Sequence, residues 1–439
     1  MDTQMHAAPS PVPPSRSHSR RMSTAVLVTA LLLIIFILLD GLTEQRLLEG
    51  TRGVTLPTST TRLPLGPFVQ LPLNGIQVDA LHHLVTHMKY KQLASLYVSH
   101  MTLDEELGQL IMVEYADTYY SSDLDTMISQ LHAGGVIMYE FQMTSFDQTK
   151  HDIALMQQHA KIPLLISTDE EGGEIHRLLN IYPPRPSAIS IYETGDPNVA
   201  AQQGHRVAHD LLALGINENL APDVDVELIS GPDQALRTFG YTPNSVITFA
   251  GAYMRAMQAD GVVACIKHYP GLGDASIDAH FGLPVVDRTR EQLYSVELAP
   301  YKALIQSPNS LDHPGMIMST DVLMPAIDPK MPGELSHIFM TDILRKQFGY
   351  DGVVMTDALY MKGISQYWSM PAAAVLALNA GDDMLLGPTG AGQMLDMLNG
   401  LKAALQNGTL SKARVDEAAT RIIALKMEAH LMPAVPPQS

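Results

Sequence analysis

The sequence has very little cysteine and fewer basic than acidic residues, and both features narrow the possible functions. Cys265 is the only cysteine among 439 residues, so the chain forms no internal disulfide and has no thiolate cluster for zinc or iron–sulfur binding. It carries 28 Lys and Arg residues against 46 Asp and Glu residues, a net charge of −18. Because a surface that binds nucleic-acid phosphates is basic, this balance argues against a nucleic-acid partner.

The chain is nevertheless rich enough in apolar residues to build a large core. Its hydrophobic fraction of 46% excludes disorder of the whole chain. At roughly 150 residues per domain, the length allows two or three domains or one large barrel. Nothing in the composition implies an obligate protein partner.

An uncharged apolar run lies near the N-terminus. Residues 22–39 are 18 residues without a charge, and at 1.5 Å per residue they span roughly 27 Å, close to the thickness of the bilayer hydrocarbon. Arginines precede the run and acidic residues follow it, which predicts a cytoplasmic N-terminus, a helix anchored in the lipid bilayer and an extracellular remainder. A cleaved signal peptide, and thus a secreted protein, is the alternative, but the run is long and its cleavage site is poor.

The rest of the chain divides by composition. We expect residues 1–21 to be a disordered cytoplasmic tail and residues 40–84, with scattered Thr and Pro, to be an extended linker. Residues 85–432 have no low-complexity break and form the predicted catalytic domain. Residues 433–439 are predicted to be a second disordered tail.

Short apolar runs alternate with helical patterns throughout the predicted domain. Strands that alternate with helices imply right-handed crossovers and a parallel sheet. Eight such repeats predict an α/β fold, a single (β/α)8 TIM-like barrel; an open, doubly wound sheet is the rival because periodicity does not detect closure. The eight runs are residues 110–115, 135–139, 163–168, 220–226, 262–268, 316–320, 352–356 and 383–386.

Charged side chains collect where these runs end. In a barrel all the carboxyl ends of the strands meet at one rim, so we expect these side chains to share a single bowl. Any one of them could instead be a turn or helix-cap residue. The residues concerned are Asp169, Glu170, Glu171, Asp223, Asp225, Lys267, His268, Asp321 and Asp357.

The densest segment is residues 266–280, in which a buried strand ends in a Lys–His pair and continues into a glycine-rich loop. A phosphate cradle is a weak interpretation, since the loop lacks the Lys-Ser/Thr of a P-loop. A metal site is a further possibility, although the spacing matches no standard motif. Its ligands would be His268, Asp274, Asp278 and His280.

Several separate segments, in this order, resemble the family 3 glycoside hydrolases, and in particular their single-domain β-N-acetylglucosaminidases. The resemblance runs from Met101 to about Met432. The segments are DEEGGEIHR at 169–177, APDVD at 221–225, LRTFG at 236–240, KHYPGLG at 267–273, DAHFGLP at 278–284, VVMTDAL at 353–359 and LNAGDDML at 378–385.

The resemblance implies a retaining glycosidase with Asp357 as the nucleophile and His280 as the general acid/base, oriented by Asp278. No metal or organic cofactor is implied, and the partner is a carbohydrate substrate. The residues that the resemblance assigns to the hydroxyl groups of the terminal sugar are Asp169, Arg177, Arg237, Lys267 and His268.

These catalytic roles are also chemically reasonable. Retention needs a carboxylate about 5–5.5 Å from a proton donor across the glycosidic bond. A carboxyl donor requires a raised pKa, whereas a histidine starts near neutrality. A neighbouring Asp278 would orient the ring of His280 through one nitrogen and leave the other for the leaving oxygen.

The chain departs from the family pattern at a few positions. Asp321 stands where a histidine is usual, Leu272 where many members have histidine, and Glu174 where arginine is frequent. We expect these changes to affect fine specificity more than reaction type.

The expected function is exo-hydrolysis of terminal β-linked N-acetylglucosamine from peptidoglycan fragments or chitin-type oligosaccharides. Two alternatives use the same scaffold, namely a β-glucosidase and a phosphorylase that uses phosphate in place of water. An inactive sugar-binding protein tethered at the cell surface is the alternative from another class.

Overall fold

The computed structural model describes residues 88–228, 236–275 and 277–432. The predicted cytoplasmic tail, anchor, linker and C-terminal tail, at residues 1–21, 22–39, 40–84 and 433–439, lie outside these ranges. Within them, no helix combines the length and the apolar character needed to cross a bilayer.

Eight parallel strands of the described chain close into a barrel, in the spatial order β1-β10-β9-β8-β7-β6-β3-β2. The barrel closes where β1 pairs with β10, with Ile111 opposite Leu385. The predicted (β/α)8 barrel is therefore confirmed, and the open sheet is wrong. The strands are β1 (Ile111–Val113), β2 (Gly135–Ile137), β3 (Leu165–Thr168), β4 (Glu170–Gly172), β5 (Ile175–His176), β6 (Glu218–Asn219), β7 (Val263–Tyr269), β8 (Met316–Ser319), β9 (Val353–Ala358) and β10 (Met384–Leu386).

The barrel strands are short and mostly apolar, and several are buried along their whole length. Helices cover the outside of a parallel barrel and side chains fill its inside, so both faces of a strand avoid water and the sequence need not alternate. Strand β7 stays buried even through Lys267 and His268. Strands β4 and β5 form a separate antiparallel hairpin directly after β3.

The position of the fourth barrel strand differs from the prediction. The predicted strand covers residues 220–226, whereas β6 covers only Glu218–Asn219. Pro222 has no N–H group to donate, so a regular ladder does not continue through it. The segment still lies beside β7, through an isolated bridge between Asp223 and Lys267.

Helices connect the strands, and their ends follow ordinary capping rules. Thr102 and Thr242 each form a capping box that satisfies free N–H groups of the first turn. Gly215 ends its helix with φ of 96°, a left-handed conformation that glycine adopts without strain. The helices cover 88–98, Leu103–Gln109, Ser122–Asp125, Phe146–His159, Ala188–Tyr192, Pro197–Leu214, Pro243–Ala259, Arg290–Ser295, Ala299–Ile305, Lys362–Ser365, Met370–Ala380, Ala391–Asn407 and Lys412–Glu428, with π-helical turns at Thr126–Gln130 and Ile338–Gln347 and 3₁₀ turns at Ser310–Asp312 and Gly333–Leu335.

A buried cluster of charges holds the end of the barrel opposite the rim. The carboxylate of Asp383, just before β10, accepts hydrogen bonds from Arg345 at 2.6 Å, Arg414 at 2.7 Å and Arg421 at 3.1 Å. Burial acts to raise the pKa of Asp383, but the three guanidinium groups outweigh it and lower that pKa to about 2. The cluster ties the helix Lys412–Glu428 to the strand β10.

Candidate active site

Asp357 lies near the carboxyl end of β9 and is held by a hydrogen bond to each carboxylate oxygen. Its Oδ1 accepts the backbone N–H of Ala358 at 2.8 Å, and its Oδ2 lies 3.1 Å from the hydroxyl oxygen of Thr320. Thr320 directly follows β8, the strand that pairs with β9. Two neighbouring strands thus fix the orientation of this half-buried carboxylate.

Asp278 and His280 form the pair that the sequence predicts. Oδ1 of Asp278 lies 2.8 Å from Nδ1 of His280 and accepts the backbone N–H of His280 at 2.7 Å. Because Nδ1 contacts Asp278, the second ring nitrogen, Nε2, is left free of this pair, and the side chain of His280 is 64% exposed. Between the two residues, the carbonyl of Ala279 accepts the N–H of Gly363 at 3.3 Å, which binds the loop to the segment after β9.

A second cluster, at the carboxyl ends of β3 and β7, combines two cations with two carboxylates. Nζ of Lys267 lies 2.6 Å from Asp169 and 2.7 Å from Glu171. Arg237 makes a two-pronged contact with Glu171, at 2.9 Å through Nε and 2.8 Å through Nη2. Burial acts to raise the pKa of Glu171, but the charges of Arg237 and Lys267 lower it well below the usual range.

His268 joins this cluster through both ring nitrogens. Nδ1 lies 2.8 Å from Oδ2 of Asp225, and Nε2 lies 3.2 Å from Nη2 of Arg237. The other oxygen of Asp225 accepts the N–H of Leu272 at 2.7 Å, so the same carboxylate also fixes the start of the glycine-rich loop. Four of the five predicted sugar-binding residues therefore lie in one connected network.

The fifth, Arg177, has different partners. Its Nη1 donates to Glu140 at 3.2 Å, and its guanidinium lies over the ring of Tyr139, 5.5 Å from the ring centre. These contacts put it at the end of β2 rather than in direct contact with Lys267. The structure therefore adds Glu140 and Tyr139 to this side of the bowl.

Glu114 is a further rim residue that sequence reasoning did not select. It follows β1 directly, is 7% exposed, and accepts a 3.0 Å hydrogen bond from the hydroxyl of Tyr360. Burial raises the pKa of Glu114 to about 7. The negative charges of Asp169 and Asp357 act in the same direction, whereas the hydrogen bonds from Tyr360 and Tyr139 act to lower this pKa. Its one signal in the sequence is a lone charge near the end of an apolar run.

Asp321, which the sequence places among the charged residues of the rim, lies beside the nucleophile candidate. It is 1% exposed, and its Oδ1 lies 3.4 Å from the same Thr320 hydroxyl that contacts Asp357. Burial, and then the negative charge of Asp357, raise the pKa of Asp321 to about 8. The nucleophile candidate therefore has beside it a buried carboxyl group whose pKa is raised.

Three groups in the second cluster have the chemistry of metal ligands. Donor atoms of Asp223, Asp225 and His268 all lie within 4.8 Å of one another. However, Nδ1 of His268 is engaged by Asp225, and the guanidinium of Arg237 is 3.9 Å from Asp223. A metal ion here would have to displace these contacts and lie beside a fixed positive charge.

The metal set considered from the sequence is divided between separate contacts in the structure. His268 belongs to the cluster around Arg237, and Asp274 instead lies 2.9 Å from Arg288. Asp278 and His280 pair with each other. These four residues therefore do not converge on one point.

Comparison with known proteins agrees with this geometry. The profile of the Glycosyl hydrolase family 3 N terminal domain matches residues 102–425. Beta-hexosaminidase A of Pseudoalteromonas piscicida is 29% identical over 371 residues, which cover 74% of this chain and 61% of that protein. The chain thus spans less than two thirds of this relative.

Solved structures with the same fold give a similar result. A glycoside hydrolase family 3 β-N-acetylglucosaminidase from Paenibacillus sp. str. FPU-7 superposes with a TM-score of 0.71 at 34% identity, covering 77% of this chain and 65% of that one. Beta-glucoside phosphorylase BglX bound to 2FGlc superposes with a TM-score of 0.70 at 26% identity, covering 79% and 63%. With the barrel, the rim residues and a profile that spans most of the domain all in agreement, the chain belongs to glycoside hydrolase family 3.

Proposed function

We propose that the protein is a retaining exo-acting glycoside hydrolase that removes terminal β-linked N-acetylglucosamine from peptidoglycan fragments or chitin-type oligosaccharides. The main support is the hydrogen bond from Gly363 to Ala279, which joins the loop of the Asp278–His280 pair to the segment following Asp357. A proton donor and a nucleophile on one rim are what a retaining mechanism needs. The names of the hexosaminidase relatives support the choice of sugar.

In the first step, one carboxylate oxygen of Asp357 attacks the anomeric carbon and forms a covalent ester. The electrons of the breaking glycosidic bond go to the leaving oxygen, which takes a proton from Nε2 of His280. The carboxylate of Asp278 contacts Nδ1 and so orients the ring with Nε2 towards the leaving oxygen. The Ala358 N–H and Thr320 hydroxyl orient the attacking carboxylate.

In the second step, water attacks the anomeric carbon from the side that the leaving group vacated. His280, now neutral, accepts a proton from this water at Nε2. The bond between sugar and Asp357 breaks and returns the carboxylate, so the configuration at the anomeric carbon is retained. Histidine suits both roles because its ordinary pKa lies near neutral pH.

The cluster around Lys267 supplies the binding site for the terminal sugar. Lys267 and Arg237 donate to hydroxyl oxygens, while Asp169 accepts hydroxyl hydrogens. The ion pairs among these residues hold the donors and acceptors in place before substrate arrives. Pre-organised groups of this kind reduce the ordering cost of binding.

Phosphorolysis is the second candidate, favoured by the similarity to a β-glucoside phosphorylase. In that reaction a phosphate oxygen replaces water in the second step, and the product is a sugar 1-phosphate. A neutral or cationic histidine repels phosphate less than a carboxylate donor does. Dependence of the product on added phosphate separates the two reactions.

The test uses aryl β-glycosides that differ only at the 2-position of the sugar. We expect turnover of the 2-acetamido compound in buffer without phosphate, with retention of configuration followed by NMR. Asp357→Ala should lower this rate to below about one thousandth, whereas Asp396→Ala, at an exposed helix position, should leave it unchanged. Near-wild-type turnover by Asp357→Ala removes the nucleophile assignment, and binding without any turnover supports the inactive sugar-binding alternative.

A further inference from the structure

The hydroxyl group of Thr320 lies between two carboxyl groups. Its oxygen is 3.1 Å from Oδ2 of Asp357 and 3.4 Å from Oδ1 of Asp321. A hydroxyl group has one hydrogen to donate and lone pairs with which to accept. Thr320 therefore cannot donate to both carboxyl groups at once, and their protonation states decide which one receives its hydrogen.

The surroundings of Asp321 favour its protonated form. Its Oδ2 is buried and has no hydrogen-bond partner among the described residues, which is costly for an ionised oxygen. Gly363 packs so closely that a Cβ there would overlap with this oxygen, so the backbone shields it from water. At neutral pH the carboxyl group of Asp321 therefore carries a proton.

The charged groups that face Asp321 come from three sides. Asp357 on β9 raises its pKa, and His268 on β7 acts weakly in the opposite direction. Glu334, on the turn Gly333–Leu335, faces it as well; burial, and then the charges of Asp321 and Asp357, raise the pKa of Glu334 well above the usual range.

We propose that Asp321 is a positioning residue that donates its carboxyl hydrogen to Thr320 and thereby directs the hydroxyl hydrogen of Thr320 to the nucleophile Asp357. The inference rests on the nucleophile assignment of the proposed function. The relay runs from Asp321 Oδ1–H to Thr320 Oγ1–H and then to Asp357 Oδ2.

The relay has a direct consequence for the pH dependence of the reaction. When Asp321 ionises, near pH 8, it stops donating and competes with Asp357 for the one hydrogen of Thr320. Asp357 then loses a hydrogen bond and gains a like charge beside it. We therefore expect kcat/KM to fall as the pH rises through about 8.

The substrate is chosen so that proton donation by His280 does not limit the measured rate. An aryl β-N-acetylglucosaminide with a strongly acidic phenol needs little protonation of the leaving group, so loss of the His280 proton has little effect on the first step. With this substrate the wild-type full chain should lose about tenfold in kcat/KM for each pH unit above about 8.

Asp321→Asn tests the proposal because its amide donates to Thr320 but does not ionise in this range. We expect its kcat/KM at pH 7 to stay within about fivefold of wild type, and its fall at high pH to begin at least about one unit later. If kcat/KM of Asp321→Asn begins to fall at the same pH as that of wild type, the proposal is wrong. Asp328→Asn is the matched control, since Asp328 is another buried carboxylate of the same loop and accepts from Ser336 at 2.6 Å. Its effect should be equal at all pH values.

Thr320→Ser and Thr320→Val keep the proposal testable if Asp321→Asn does not fold. Serine retains the hydroxyl and should show the wild-type pH profile, whereas valine should lower kcat/KM and make its fall near pH 8 shallower, because only the effect of the like charge is left. In addition, burial raises the pKa of Asp223 to about 8 as well, so ¹³C NMR of protein labelled at aspartate carboxyl carbons should contain a resonance that titrates near pH 8 and persists in Asp223→Asn; its absence overturns the proposal. If Asp357→Ala retains activity, the proposed function fails instead, whatever this titration gives.

Discussion

The backbone N–H of Gly363 donates a 3.3 Å hydrogen bond to the carbonyl oxygen of Ala279. Ala279 lies between the two members of the acid/base pair, and Gly363 follows the strand of the nucleophile candidate by a few residues. One backbone hydrogen bond therefore links the loop that contains Ala279 to the short helix Lys362–Ser365, although the two are distant in the sequence. It is the reason for treating the histidine and the nucleophile as parts of one site.

His280→Ala should slow the enzyme according to the quality of the leaving group. Substrates that leave as a sugar or an alkyl alcohol need a proton, and we expect a loss of about 10²–10⁴-fold for them. Aryl substrates with an acidic phenol should lose less than about tenfold in kcat/KM. Equal losses for both kinds of substrate, measured by steady-state kinetics, contradict the role of proton donor.

The chain offers a matched control for this experiment. His205 contacts Asp260 through Nδ1 at 2.7 Å, which is nearly the geometry of the His280 pair, but lies on the helix Pro197–Leu214. His205→Ala removes an exposed histidine with the same type of partner. We expect it to leave both kinds of substrate unaffected.

Arg237→Lys should weaken substrate binding more than it slows the chemical step. Lysine keeps the positive charge but has no planar fork, so it loses one of the two hydrogen bonds to Glu171. We expect KM to rise about 10–100-fold with kcat changed less, since binding to ground state and transition state suffers alike. Arg290→Lys, at an exposed position, is the control; a fall in kcat at unchanged KM contradicts the binding role.

Asp383→Asn should destabilise the fold without touching the rim. Removal of the charge leaves three arginines without a buried counter-charge, and breaking such a cluster costs about 3–5 kcal/mol. The expected result is a clearly lower melting temperature in calorimetry at pH 7. Asp396→Asn replaces an exposed aspartate and should leave the melting temperature within about one degree.

The same cluster gives a pH dependence of stability. The pKa of Asp383 is lowered to about 2 in the folded protein, against about 3.9 for an unfolded aspartate. Its contribution is complete above the unfolded value and is lost as the pH falls from about 4 towards about 2. Asp383→Asn should therefore lose less stability than wild type over that range; equal losses contradict the assignment.

Membrane attachment through residues 22–39 remains a proposal. We expect the full-length protein to stay in the membrane fraction after alkaline carbonate washing, and a variant that lacks residues 1–39 to become extractable. Release of the full-length protein by the wash favours a cleaved signal peptide. Accessibility of the catalytic domain to added protease in intact cells tests the predicted orientation.

The sequence predicted the barrel because its periodic runs require alternating strands and helices, but it did not predict where each strand ends. The fourth strand illustrates the limit. Its apolar residues continue past Pro222, yet the ladder stops at Asn219 because hydrogen bonding, rather than burial, defines a strand. Burial patterns alone do not distinguish a strand from an extended segment beside one.

The site was predicted residue by residue where short motifs carried it, as for Lys267 and His280. Glu114 was not selected, and Asp321 was selected as a rim residue without its contact to the Thr320 hydroxyl, because both roles depend on neighbours that the fold brings together. The pKa of Glu114 is raised by burial, which depends on the strands that the closed barrel packs around it, and its hydrogen-bond donor Tyr360 comes from the far side of the closure. Contacts of this kind depend on the register of the whole barrel and leave almost no local signal.

The pairing of Ile111 with Leu385 also bears on how the protein is made. In a nascent chain, β1 is the first and β10 the last of the eight described barrel strands to be synthesised, so the edge of β1 stays unpaired until β10 is available. Until then the half-built cylinder presents two unprotected edges to other polypeptides. Folding of this barrel therefore requires that neither edge pairs with another polypeptide before β10 has been synthesised.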